Sequence, residues 1–375
     1  MKAVVLGAGL VGSVIARDLS ADFETVVVDL NEDALERLKG FGVKGVKASA
    51  TDMDALAPIV GDADIVCGAV PGKIGYKMLS TVIKLGKRVC DISFMPEDFK
   101  ELDVLARKHG AIVVSDMGVA PGMSNFLVGR AASILDEVDD VKIYVGGLPL
   151  NPQPPFNYKI VFSAEDVLEE YTRPVRYVKD GSIIETEALS GLEEVDFPGV
   201  GKLEAFYTDG LRSLVKTIRA RNMSEKTLRY PGHANIMKAF REIGLLGEEY
   251  RSFTASLLFP VWKMNPDVGD RDLTLMVVEV TGKKDGDYVT YRWELLDRFD
   301  EVTGIHSMAR TTGYPCAIMS RAIVDGKVDA VGVYAPEELA SNDSIFNFLM
   351  KELAVRGVEF KEKVVVEKSY MEGLV

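Results

Sequence analysis

The first 116 positions alternate between short apolar runs rich in β-branched residues and stretches whose apolar positions recur every three or four residues. Runs at 2–6 (KAVVL), 25–29 (TVVVD), 46–52, 63–71, 88–93 and 111–116 read as strands. The stretches between them, at 13–19, 31–39, 53–60, 74–84 and 96–109, read as helices, the second capped by Asn31. This alternation predicts an α/β fold with a Rossmann-type, doubly wound parallel sheet. Past Asp116 the pattern changes. GVAPG at 118–122 is a turn-rich hinge into a helix over 124–135. Strands then follow one another at 141–145, 159–162, 176–178, 182–186, 273–281 and 288–297, with Asp180-Gly181 and Asp285-Gly286 as hairpin turns. A second, α+β domain built on an antiparallel sheet is expected from them. Helical stretches at 307–323 and 344–356 and a strand at 359–366 complete the chain. The expected division is 1–120 for the first domain, 121–305 for the second, and 306–375 for a segment returning to the first.

GAGLVG at 7–12 sits between the first strand and the first helix, and the second strand ends in Asp29. This is the dinucleotide-binding fingerprint in its βαβ context. Gly7 permits the turn, Gly9 lets a pyrophosphate approach the backbone, and Gly12 lets the helix pack on the sheet. The helix N-terminus, with Leu10 and Val11 in its first turn, presents free N–H groups and a positive dipole end to phosphate. Asp29 suits the two ribose hydroxyls and repels a 2′-phosphate, and Leu30 and Asn31 follow it rather than an arginine. The expected cofactor is NAD. Asp52, closing the third strand, and Ala69, Val70, Pro71 and Ser93, at later strand ends, complete the expected cofactor set.

At 375 residues the chain is too long for one ordinary core, which agrees with two domains. Its 47% hydrophobic and 27% charged residues are a globular composition, and a net charge of −13 argues against nucleic acid or an anionic membrane as partner. No apolar run is long enough to span a bilayer. The N-terminal apolar run is broken by glycines and continues into 26–28, so it reads as folded protein rather than a secretion signal. Cys67, Cys90 and Cys316 are far apart in apolar surroundings, as expected of buried thiols in a reducing cytoplasm. His109, His233 and His306 are not spaced as metal ligands, and no metal is expected. The acidic cluster 136–140 reads as a solvated loop.

More specific motifs lie further along. CDISFMPE at 90–97, APGMSN at 120–125 and VGGLP at 145–149 resemble the saccharopine dehydrogenase-like superfamily. YKIVFS at 158–163, EEYTRP at 169–174, DGLRS at 209–213 and TLRYPGH at 227–233 narrow the resemblance to members that oxidise an amino-acid amine with NAD. The resemblance implies oxidative deamination of the lysine ε-amine to 2-aminoadipate 6-semialdehyde, which cyclises to piperideine-6-carboxylate, with release of ammonia. It also implies a homodimer or larger homo-oligomer. The alternatives are a saccharopine or carboxynorspermidine reductase using NADPH, and a non-catalytic NAD-sensing protein.

Such a reaction needs a neutral amine, and at pH 7 only about one lysine amine in a few thousand is neutral, a deficit of roughly 4–5 kcal/mol. The site must therefore supply a base or a desolvated pocket, and hold the α-carboxylate. Asp91 and Asp116 stand at strand ends where open α/β sheets bind ligands, with helix capping as the structural alternative. The resemblance places Tyr158 and Lys159 over the nicotinamide, with Lys159 a possible base. His233, after Pro231-Gly232, is a further polar candidate. Arg212 is the first choice as carboxylate clamp and Arg229 the second.

Overall fold

The computed structural model describes residues 1–368. Two sheets organise it. The strands in chain order are β1 (Lys2–Leu6), β2 (Glu24–Asp29), β3 (Lys44–Lys47), β4 (Ile65–Gly68), β5 (Arg88–Asp91) and β6 (Ile112–Val114). They continue as β7 (Glu137–Pro149), β8 (Val175–Lys179), β9 (Ser182–Thr186), β10 (Glu193–Phe197), β11 (Gly201–Tyr207) and β12 (Asn222–Arg229). The last are β13 (Asp272–Lys284), β14 (Asp287–Arg298), β15 (Gly332–Tyr334) and β16 (Lys361–Glu367).

The first sheet runs β15-β6-β5-β4-β1-β2-β3 with every pairing parallel. Helices cover both faces, which is why β1 and β4 are apolar at almost every position instead of alternating. Strand order reverses between β1 and β4, and the crevice above their carboxyl ends opens there. This is the doubly wound architecture expected from the sequence.

The second sheet has nine strands, with β10-β11-β12-β7-β13-β14-β16 as its path and the β8–β9 hairpin attached to β12. Its pairings are antiparallel except for β12 beside β7, so the sheet is mixed. A parallel neighbour requires a long crossover. The chain between β7 and β12 supplies it and carries one wall of the crevice.

Helix Ser307–Val324 returns to the first sheet. Its Cys316 thiol reaches the Cys90 carbonyl, and Arg321 pairs with Asp18 on the first helix, Leu10–Leu19. The segment expected at 306–375 is nevertheless divided. β15 extends the first sheet, whereas β16 pairs with the open edge of β14 in the second. Residues 369–375 of that segment lie outside the described residues. All three cysteines are free and buried. Among the described residues no helix is long and apolar enough to cross a membrane.

Several local expectations fail for physical reasons. The stretch 159–162 forms only one bridge, Ile160 to Lys263, because Tyr158 and Ile160 turn into an aromatic cluster around Trp262 instead of a ladder. The acidic cluster 136–140 is not a loop, since residues 137–140 open β7 and pair with β13. Helices His233–Glu242 and Glu248–Trp262 were not anticipated. The second of them is apolar around much of its circumference, with Phe253, Leu257 and Val261 exposed and Thr254, Leu258 and Trp262 buried, so no single stripe marks it.

Gly12 holds the glycine turn against the helix. A Cβ there would sit 2.1 Å from the Gly7 carbonyl oxygen. Gly12→Ala is expected to cost at least about 1–3 kcal/mol of stability and to weaken dinucleotide binding more than tenfold. Denaturant midpoints and NADH fluorescence titration check this. An unchanged midpoint with unchanged binding would show that the turn tolerates a side chain.

A candidate active site between the two sheets

A cavity of about 590 Å³ lies between the carboxyl ends of the first sheet and the crossover wall of the second. Gly7, Gly9, Leu10, Val11, Gly12 and Asp29 line one end, and Ala69, Val70 and Pro71 line the floor beside it. Where a Cβ would stand on Gly9 there is open space within 4 Å, so the backbone is free to be approached. The first N–H groups of the following helix have no partner within it. Asp29 is fixed by two backbone donors, Ala8 N at 2.6 Å on Oδ2 and Asn31 N at 2.8 Å on Oδ1. Each of its oxygens retains a lone pair. These residues fit the pyrophosphate and adenosine ribose of a dinucleotide.

Two residues of the expected cofactor set lie elsewhere. Asp52 is exposed and caps helix Met53–Val60, accepting from Asp54 N and Ala55 N. Ser93 is buried off the cavity wall and donates to Asp91 Oδ1 at 2.8 Å.

The opposite wall comes from the second domain. Ser163 caps the short helix Ala164–Glu169, which brings Asp166 to the cavity, and Glu170 follows it. β12 contributes Thr227 and Arg229. Arg229 is 1% exposed and engages Glu170, the Leu228 carbonyl and the Tyr171 hydroxyl. Three of its five N–H donors are thereby committed and two remain. Burial raises the Glu170 carboxyl above its ordinary range, with Arg229 opposing.

Tyr158 and His233 stand behind Arg229. The guanidinium lies 4.6 Å from the Tyr158 ring centroid, and burial pushes the Tyr158 hydroxyl well above its usual value. His233 Nδ1 is 2.9 Å from the Phe156 carbonyl, which can only accept, so the proton sits on Nδ1 and Nε2 accepts from Tyr171. Burial, with Arg229 adding, lowers the His233 pKa to about 3. His233 is therefore a neutral support and not a proton acceptor near neutrality.

The remaining expected catalytic residues are not on the cavity wall. Lys159 pairs with Asp270 at 3.3 Å and donates to the Lys263 carbonyl, so its amine is engaged away from the cavity. Asp116 and Arg212 form a buried ion pair at 2.9 Å, both in left-handed backbone conformations. Burial works against the Arg212 charge, and Asp116, with Asp209 and Asp98 adding, more than offsets it. This pairing takes Arg212 out of the carboxylate-clamp role. Asp91 is fully buried, accepts from Ser93 and Ser115, and is raised to about 7, chiefly by burial.

Sequence reasoning missed Asp166, Glu170 and Thr227. A signal for the first two existed, since they are four residues apart beside a serine cap, the spacing that places side chains on one helical face.

Both halves of the chain match family models. The model described as the saccharopine dehydrogenase NADP binding domain matches residues 3–114. The model described as the saccharopine dehydrogenase C-terminal domain matches 118–358. The chain belongs to the saccharopine dehydrogenase family. It is 25% identical over 448 residues to the Saccharomyces cerevisiae saccharopine dehydrogenase [NADP(+), L-glutamate-forming], covering 96% of this chain and 99% of the yeast protein. The apo structure of the yeast saccharopine dehydrogenase superposes with a TM-score of 0.79 at 21% identity, covering 97% of this chain and 99% of the other. Legionella pneumophila homospermidine synthase in complex with NAD gives 0.66 at 11% identity, covering 100% and 94%. The fold is shared with both. Family membership makes the chain an oxidoreductase of amino-acid metabolism with a nicotinamide dinucleotide site.

In this saccharopine dehydrogenase-family chain, Asp116→Ala strands the Arg212 charge in the interior. A loss of about 3–5 kcal/mol in unfolding free energy is expected, read by denaturant titration. A loss below about 1 kcal/mol would mean that Arg212 finds solvent or another partner.

Proposed function

We propose that this family member oxidises the ε-amine of L-lysine with NAD, giving 2-aminoadipate 6-semialdehyde, ammonia and NADH. The observation that carries the reading is the charge of the second-domain wall. Asp166 and Glu170 line the cavity beside Arg229, which is paired to Glu170, and the charge of nearby Arg173 acts on both carboxylates. That wall suits a substrate with two amino groups and a single carboxylate. The two uncommitted donors of Arg229 would hold the α-carboxylate, and Asp166 and Glu170 would draw the cationic amines. When bound along the glycine turn, the nicotinamide supplies the hydride acceptor. Ala69, Val70 and Pro71 would support its ring, and Phe162 and Met308 would keep bulk water away while hydride leaves. One water entering afterwards adds to the iminium carbon and releases ammonia and the aldehyde.

A second reading, oxidation of saccharopine with NADP, draws on the names of the relatives. Three features weigh against it. Saccharopine carries three carboxylates, for which the wall offers one partly committed guanidinium. The charge of Asp29 opposes a 2′-phosphate. The alignment with the yeast relative also spans 448 residues against 375 in this chain, so that protein carries segments lacking here.

Absorbance at the NADH band separates the readings. Lysine with NAD is expected to give turnover that is higher at about pH 9 than at about pH 7, because the ammonium must lose a proton before hydride can leave. Faster turnover of saccharopine with NADP would overturn the proposal. Asp29→Ala is expected to raise the KM for NAD about 10- to 100-fold and that for NADP far less, as the loss of a ribose-binding carboxylate worth ~1.4–2.8 kcal/mol requires. A wild-type enzyme that prefers NADP would refute the role given to Asp29.

A further inference from the structure

We propose that Thr227, Thr208 and Glu225 form a proton path that takes the proton from the substrate ammonium into the second domain, with Glu225 as acceptor. The inference rests on the amine-oxidation reading above and adds the group that makes the amine neutral.

The path follows from strand geometry. Alternate residues of β12 share a face, which puts Glu225, Thr227 and Arg229 together. Thr208 follows β11, whose Tyr207 is in register with Lys226. Thr208 thus lies across from Glu225. Its hydroxyl donates to Glu225 Oε2 at 2.6 Å and is 2.8 Å from the Thr227 hydroxyl. Thr227 is on the cavity wall, whereas Glu225 is 3% exposed and lies behind it. Gly210 closes over Glu225, donating its N–H at 3.2 Å, and a Cβ on Gly210 would fall 2.4 Å from the carboxyl carbon. Among the described residues no cation pairs with Glu225.

The hydrogen bonds have one consistent direction when Glu225 is ionised. Thr208 donates to the carboxylate and accepts from Thr227, which leaves a lone pair on Thr227 for an ammonium N–H in the cavity. In the transfer, one substrate N–H bond breaks as an O–H bond forms on Thr227. The Thr227 proton passes to Thr208, and the Thr208 proton passes to Glu225 Oε2. Both hydroxyls end neutral, Glu225 ends as a carboxylic acid, and the amine keeps the electron pair that expels hydride from its carbon. The reverse route, with water in the emptied cavity, resets the carboxylate.

The surroundings tune the acceptor. Burial raises the Glu225 carboxyl to about 8, Thr208 and Gly210 oppose, and the charges of Glu170 and Asp209 add. Asp209 is itself paired with Arg176, and Glu170 with Arg229, while the Lys226 amine is held by the Gly191 carbonyl and Glu193. An ordinary carboxyl near 4.3 would be a poor acceptor for an amine near 10.4, and the raised value narrows the gap.

The test compares pH profiles of lysine oxidation for the wild type, Glu225→Gln, Thr227→Val and Thr227→Ser. Glu225→Gln and Thr227→Val are each expected to lower kcat by about 10²-fold with the KM for NAD unchanged. Glu225→Gln should also lose the acid limb near pH 8. Thr227→Ser, which restores the hydroxyl, should recover most of the rate. Infrared difference spectra of cofactor-free wild type against Glu225→Gln should show a buried carboxyl titrating near pH 8. If Glu225→Gln folds poorly, Thr227→Val still breaks the path with Glu225 in place. Rates within about twofold of wild type and an unchanged profile in Thr227→Val would overturn the path, as would equal losses in Thr227→Val and Thr227→Ser. A wild type that never oxidises lysine sinks the functional reading. A wild type that does, with indifferent variants, sinks the path alone.

Discussion

A guanidinium buried to 1% exposure has to be neutralised and hydrogen-bonded, and Arg229 is where this molecule meets that demand. Glu170 supplies the charge, Tyr171 and the Leu228 carbonyl accept further N–H groups, and Tyr158 offers its ring face. Tyr171 in turn donates to His233, which is held neutral and anchored on Phe156. Satisfying one cation thus ties β12 to the segment after Ala164–Glu169, to helix His233–Glu242 and to the aromatic cluster of Trp262. From the wall facing the glycine turn inward, Glu170, Arg229, Tyr171 and His233 form one continuous chain of hydrogen bonds.

The parallel pairing of β7 and β12 makes that wall possible. An antiparallel return would need only a short turn, whereas the parallel return obliges the chain to cross over the sheet, and the crossover carries Asp166 and Glu170. Close approach is part of the same geometry. A Cβ on Gly147 would meet the Met308 and Val161 side chains at 2.4 and 2.6 Å, so the sheet, the crossover and the returning helix converge with no room for a side chain. The glycine-turn half of the cavity is built from the first sheet and the Arg229 half from the second, and helix Ser307–Val324 spans both.

The glycine-turn half was legible in the sequence because each of its residues answers a local backbone demand. Gly7, Gly9, Gly12 and Asp29 are set by a turn, a close approach, a helix–strand contact and a strand end, all within about thirty residues. The Arg229 half was legible only in outline. Asp116 and Arg212 are separated by 96 residues and look like a base and a clamp until their ion pair is seen. Lys159 and His233 read as polar side chains free to act, and the fold commits one to Asp270 and the other to Tyr171. Asp52 was taken for a ligand because it ends a strand, but a helix begins at the next residue and claims its carboxylate. Glu225 and Thr208 carry no local sign at all, since their link exists only through the register of β11 and β12.

The central claim is that hydride leaves the carbon bearing the ε-amine of lysine for the nicotinamide of a dinucleotide whose phosphates lie on the glycine turn. Oxidation of L-lysine carrying two deuterons on C6, with NAD and followed by mass and proton NMR analysis of the reduced cofactor, tests it most directly. The account requires one deuterium at C4 of the NADH nicotinamide and the other on the aldehyde carbon of the product. Unlabelled NADH, or a product that keeps both deuterons, would contradict it.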